Sequence, residues 1–158
     1  MSIEKATACL ETFGFSDRIR TFDVSSATVE LAAKALNCAP ERIAKTLSFA
    51  LGDGAILIVA AGDAKVDNQK FKAKFGVKAK MLPFDEVEKK TGHAVGGVCP
   101  FGVNEGAAVY LDESLRRFDV VYPACGSANS AVRLTVPELE VCAGAAEWVD
   151  VCKGWQGE

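Results

Sequence analysis

The sequence contains no run of about 18 uncharged apolar residues, and its opening stretch MSIEKATACLE carries Glu4, Lys5 and Glu11 where a secretion signal needs apolar residues. The expectation is a soluble, unprocessed chain with no membrane partner. No cysteine pair is spaced C-x-x-C and His93 is the only histidine, so the familiar zinc spacings are missing. Neither a metal nor another cofactor is expected. Paired carboxylates suited to hydrolytic acid/base work are also lacking: Asp63, Asp67, Asp112 and Glu113 read as turn or helix-start residues. A Walker A loop, a strand-linked G-x-G-x-x-G, internal repeats and low-complexity linkers are all absent.

What is present suits one domain spanning 1–158, since 158 residues that are 49% hydrophobic can bury a sizeable core. Such a core needs no disulfides. The scattered Cys9, Cys38, Cys99, Cys125, Cys142 and Cys152 therefore read as free thiols in a reducing cytosol. A net charge of −3 argues against coating nucleic acid with the whole surface. Charge is uneven, however: Lys65, Lys70, Lys72, Lys74, Lys78 and Lys80 face one acid, Asp67, whereas the charges from Glu138 to Glu158 are mostly acidic. The lysine run reads either as a solvated helix face or as a local phosphate-contacting patch.

Apolar residues at helical spacing predict helices over 3–13 and 29–36, with Ser25 and Ser26 available to cap the second. A short strand over 19–24 separates them. The runs 46–51 and 55–61 flank Gly52-Asp53-Gly54 and predict a hairpin. Further helices are expected over 67–75, 84–90 and 136–142, and further strands over 79–82, 107–111, 120–122 and 131–134. The fold class is α+β: a mixed, largely antiparallel curved sheet flanked by helices. The tight hairpin excludes purely parallel winding.

The densest special backbone is Thr91-Gly92-His93-Ala94-Val95-Gly96-Gly97-Val98-Cys99-Pro100-Phe101-Gly102. Its glycines permit positive φ and close approach, and Pro100 stiffens the return, so successive N–H groups can be aimed into a concavity. An ordinary loop closing a sheet is the bland reading. Cys99, with His93 nearby, invites a nucleophile hypothesis, although no third residue to orient the imidazole is evident. Lys45 stands at the entrance of an apolar strand, where a lysine either borders the sheet at the surface or points into a pocket.

Taken in order, Ala44-Lys45-Thr46-Leu47, Gly62-Asp63, Lys65-Val66-Asp67, Thr91-Gly92-His93, Gly96-Gly97-Val98-Cys99-Pro100-Phe101-Gly102 and Cys125-Gly126-Ser127 form a series. With it the chain resembles the YbaK family, the prolyl-tRNA synthetase-associated editing domain, from about Phe22 to Ala143. The resemblance implies hydrolysis, in trans, of the ester joining a wrong amino acid to tRNA, typically proline tRNA. It also implies a pocket lysine, matched by Lys45, and a loop around the aminoacyl end, matched by Gly96 to Pro100.

On this basis Lys45 and the backbone of Gly97, Val98 and Cys99 are the candidate catalytic groups. Lys45 would act as a point charge on the terminal adenosine or its phosphate, and the loop N–H groups near Gly97 to Phe101 would orient the carbonyl. Thr46, Gly96, Pro100, Phe101 and Gly102, with Gly126 and Ser127, are the candidate substrate-binding residues. Phe22 and Ala131 join them, standing where cysteine-removing members have a tyrosine and an aspartate. Less polar groups there suit alanine or 2-aminobutyrate, with cysteine or serine as the other small candidates. Lys65, Lys70, Lys72 and Lys74 are candidate tRNA contacts, and prolyl-tRNA synthetase is a candidate partner. No oligomeric state is implied. Two other readings are a non-catalytic tRNA- or synthetase-binding module and a hydrolase that depends on the Cys99 thiol.

Overall fold

The centre of the computed structural model, which describes residues 2–155, is the expected hairpin. Strand β2 (Ile43–Leu51) pairs antiparallel with β3 (Gly54–Ala61) from Ala44↔Ala61 to Leu51↔Gly54. Gly52, at φ +59°, supplies the positive φ that a tight hairpin turn asks of its first central residue. Every residue from Ala55 to Ala61 is buried, because both faces of β3 are covered. Leu57, Val59 and Ala61 face one core cluster and Ile56, Ile58 and Ala60 the other, as the two-residue period of a strand requires.

Around this hairpin lie β5 (Ala107–Asp112), β6 (Val120–Pro123), β8 (Leu134–Thr135) and β9 (Glu147–Val149), giving the strand order β8-β6-β2-β3-β5-β9. The sheet is mixed: β2–β3 and β6–β8 are antiparallel, whereas β2–β6, β3–β5 and β5–β9 are parallel. Two small antiparallel pairs complete the described strands, β1 (Ile19–Thr21) with β7 (Ser130–Val132) and β4 (Lys65–Val66) with β10 (Cys152–Lys153).

Helix α3 (Asn68–Phe75) covers one sheet face by inserting Phe71, whose ring lies 4.9 Å from that of Phe49 and 4.8 Å from that of Phe75. Full burial of such a ring contributes about 2–3 kcal/mol. On the other face α1 (Ser2–Thr12) contributes Ala6 and Leu10, and α5 (Val136–Ala143) contributes Leu139 and Cys142. Thr135 and Glu138 form a reciprocal capping box that starts α5. Helix α2 (Val29–Leu36) is capped by Thr28 rather than by Ser25 or Ser26, which turn instead toward the Ala128 carbonyl.

Three expectations need revision. The strand expected over 79–82 is an irregular segment holding one bridge, Met81 to Phe49. The strand expected over 131–134 divides into β7 and β8, which belong to different sheets. The first strand stops at Thr21. The ends of the expected 1–158 unit, Met1 and residues 156–158 with the acidic Glu158, lie outside the described residues.

Candidate active site

The geometry begins with a gap along one edge of β2. Strand β6 pairs with β2 only at Ile43 and Ala44, and the segment after α3 rejoins that edge where the Leu82 N–H donates to the Ser48 carbonyl. Between those points, from Lys45 to Leu47, two cavities open. The smaller, about 60 Å³, is walled by Val29, Ala32, Ile43, Ala44 and Ala131, with Ser26, Lys45, Thr46, Tyr122 and Ser130 as polar lining. The larger, about 350 Å³, is a groove formed by Thr46, Ser48, Met81, Leu82, Phe84, Val87, Val95, Gly96 and Val98. Thr46 lines both, and its buried hydroxyl oxygen has no hydrogen-bond partner.

Lys45 is half-buried. Its ammonium donates to the carbonyls of Gly62 (3.3 Å) and Ala64 in the turn between β3 and β4. Burial lowers its pKa below the ordinary lysine value; Lys65 pushes the same way, while Cys152, Asp63 and Glu30 oppose. The turn that supplies those carbonyls demands glycine: a Cβ on Gly62 would lie 2.0 Å from the Pro40 oxygen. Asp63 in the same turn is held by Arg117 in a two-pronged pair at 2.5 and 3.0 Å.

The glycine-rich loop divides its residues between site and core. Gly96, at φ +94°, is the third residue of a turn closed by the Gly97 N–H donating to the Ala94 carbonyl at 3.0 Å. The expectation that Gly97 offers its N–H to a ligand is therefore corrected, since that donor is spent. The N–H groups of Val98 and Cys99 have no partner among the described residues. Gly97 itself packs backbone to backbone on Gly126 and Ser127, which joins the two loops.

Cys99 and Phe101 are fully buried in the α1/α5 core, backbone included, and line neither cavity, which corrects the expectation that the Cys99 N–H orients a substrate carbonyl and that Phe101 binds substrate. Burial pushes the Cys99 thiol far up, although N–H groups of the chain, including that of Gly126, hydrogen-bond its sulfur. His93 cannot serve as its base. The His93 Nε2 lies 2.6 Å from the Phe101 carbonyl, an acceptor only, so this nitrogen carries the proton and cannot take one from Sγ at 3.6 Å. Burial also lowers the His93 pKa, keeping the ring neutral.

Pro100 is buried and Gly102 packs on the backbone of Lys5, so both shape the loop from behind. Phe22 lines neither cavity but packs in the apolar cluster that contains Ala131, its backbone tied to Asn129. Ser127 donates to Asn129 Oδ1 at 2.9 Å and meets Ser130 Oγ at 2.6 Å, next to the small cavity. Tyr122, Ser130 and Ser48 line the cavities without having been expected there: Tyr122 and Ser48 are polar residues within largely apolar strands, and Ser130 ends a polar turn, so none carries a local signal.

The lysine patch is corrected in part. Lys70 pairs with Asp150 at 3.1 Å and Lys74 with Glu147 at 2.8 Å, so neither is a free cation. Lys65 and Lys72 remain exposed without an ion-pair partner among the described residues.

Residues 23–141 match the aminoacyl-tRNA editing domain, three quarters of the chain and the span that carries β2, the glycine-rich loop and the 125–131 segment. The chain belongs to the aminoacyl-tRNA editing domain family. The uncharacterized protein YwhH of Bacillus subtilis (strain 168) is 50% identical to this editing domain over 157 residues, covering 99% of the chain and all of YwhH. A proline–tRNA ligase of Geobacillus sp. (strain WCH70) is 29% identical over 101 residues, 63% of the chain but 18% of the ligase. Among solved structures, a candidate trans-editing enzyme for prolyl tRNA synthetase superposes with TM-score 0.86 at 32% identity, covering 97% of this chain and 98% of its own. The hypothetical protein APE2540 follows with TM-score 0.83 at 26% identity, covering 94% and 99%. The mixed sheet is thus that of the editing domains. No described helix is long and apolar enough to cross a membrane.

Proposed function

We propose that this chain works as a single free-standing editing domain, a trans-acting deacylase that hydrolyses the ester of mischarged aminoacyl-tRNA. Its substrate is proline tRNA carrying a small wrong amino acid. The observation that carries the reading is Thr46, shared by a small, mainly apolar cavity and a larger groove. The aminoacyl group enters the first and the terminal nucleoside the second, so the ester passes the gap in β2. A cavity of about 60 Å³ holds only a few heavy atoms and suits alanine or 2-aminobutyrate better than a larger side chain. Each added methylene there costs about 1–3 kcal/mol in discrimination.

The chemistry asks little of side chains, because an aminoacyl ester is already reactive. Water adds to the carbonyl carbon, and the unpaired N–H of Val98, the loop residue that lines the groove, receives the developing oxyanion, a kind of contact worth about 10²–10³ in rate. The bond to the ribose oxygen then breaks; that oxygen takes one of the two protons of the water, the other passes to solvent, and the amino acid leaves as carboxylate. Lys45, fixed by two carbonyls and lining the small cavity beside Thr46, keeps one N–H for the ester where the aminoacyl group joins the terminal adenosine. The six free cysteines support a reducing cytosol as the place of action.

The test is a deacylation panel of proline tRNA charged with alanine, 2-aminobutyrate, cysteine, serine and proline. Turnover of one or more small amino acids with proline spared is the expected result. Binding of tRNA without turnover of any of them would instead mark a binding module.

A further inference from the structure

Helix α3 sorts its residues onto three faces. At 100° per residue, Phe71 and Phe75 point to the core, Lys70 and Lys74 share a second face, and Asn68, Gln69 and Lys72 share a third. The second face is neutralised by Asp150 and Glu147. The third borders a cavity of about 360 Å³, walled by Asn68, Gln69, Lys72, Lys78 and Ala79. Neither Lys72 nor Lys78 has an ion-pair partner among the described residues. The helix-end carboxylate, Asp67, accepts the N–H groups of Gln69 and Lys70 through Oδ1 and pairs with neither Lys72 nor Lys78. In a chain of net charge −3 this is a concavity with two uncompensated cations and two amide side chains.

Its place in the fold ties it to the candidate site. From Lys78 and Ala79 the chain runs along the β2 edge, where the Lys80 carbonyl accepts from the Ala50 N–H and Met81 bridges Phe49. It then contributes Met81 and Leu82 to the groove. Four residues span at most about 14 Å, so the lysine cavity lies within roughly four nucleotides of the groove at the ~3.4 Å rise of a stacked strand.

Resting on the function proposed above, we infer that the Lys72–Lys78 cavity is a phosphate-binding subsite for the acceptor strand. It holds the RNA backbone a few nucleotides before the aminoacylated 3′ end. The amides of Asn68 and Gln69 offer hydrogen bonds to ribose or base edges, and the paired Lys70 and Lys74 take no part.

The experiment compares wild type with Lys72→Gln/Lys78→Gln on two substrates: mischarged proline tRNA, and the same aminoacyl group on adenosine, which lacks upstream phosphates. The double variant is expected to raise KM for tRNA about five- to tenfold with kcat unchanged. The log-log salt dependence of tRNA binding should lose about 1.4 in slope, the share of two single-strand phosphate contacts. Turnover of the adenosine ester should stay within twofold. An unchanged tRNA KM and salt slope would overturn the inference, as would equal losses on both substrates. If wild type turned over neither ester, the deacylase reading would fail by itself. The salt slope for uncharged tRNA would then still decide the subsite, its reduction supporting it and its persistence refuting it.

Discussion

Gly97 lies so close to Ser127 that a Cβ at residue 97 would sit 2.6 Å from the Ser127 nitrogen. The loop that brings Val98 to the groove and the loop that leads to Ser130 are thus one packed unit, held backbone to backbone. Gly97→Ala must separate them. Such overpacking costs about 1–3 kcal/mol, and the free N–H groups of Val98 and Cys99 shift with it. Deacylation is expected to fall at least tenfold, with a Tm decrease of about 2–10 °C by calorimetry.

Lys45 titrates early. Its folded-state pKa is below the ordinary value of about 10.4, so between the two the unfolded chain binds more protons and stability rises with pH across that window. Activity that needs the ammonium runs the other way. The ratio of wild-type to Lys45→Met kcat/KM, corrected for spontaneous ester hydrolysis, should decline as pH climbs through that window. Urea midpoints of wild type relative to Lys45→Met should rise over the same range. A ratio constant to pH 10 would remove the ammonium from the mechanism.

Thr46→Val separates function from stability. The hydroxyl has no protein partner, so its replacement by an isosteric methyl leaves no orphan behind and removes one. Tm should hold or rise while kcat/KM drops about tenfold, and Thr46→Ser should recover most of the activity.

Cys99→Ala is expected to keep deacylation within about threefold of wild type, at a stability cost of about 1 kcal/mol for the lost sulfur contacts. The thiol is buried and protonated at neutral pH, so iodoacetamide should leave turnover intact. Loss of activity on alkylation of Cys99, confirmed by mass spectrometry, would restore the nucleophile hypothesis.

Gly62→Ala places a methyl group 2.0 Å from the Pro40 oxygen, and the strain falls on the turn whose carbonyls hold Lys45. Thermal denaturation should show a loss of about 2 kcal/mol or more. Activity is expected to fall with it even where the variant remains folded.

The hairpin, the helices and the glycine-rich loop were legible because each carries a local signal: Gly52 at a tight turn, Asp67 as a cap, Gly96 where φ is positive. Strands β4, β9 and β10 were not, being two or three residues long and made strands only by distant partners such as Val66 for Cys152. The same limit governed the site. That Lys70 and Lys74 are neutralised depends on acids 80 and 73 residues away in sequence. That Cys99 turns inward while Val98 faces the groove is a matter of packing, to which spacing within one loop is blind.

The thiol of Cys9 donates to the Cys142 carbonyl across 133 residues, and α1 and α5 share one core. At the usual pace of about 5–20 residues per second, a ribosome needs roughly 7–27 s after making Cys9 to deliver that partner. Throughout this interval Ala6 and Leu10 have no α5 to cover them, so the emerging chain offers a sticky amphipathic helix to whatever chaperone waits at the exit tunnel.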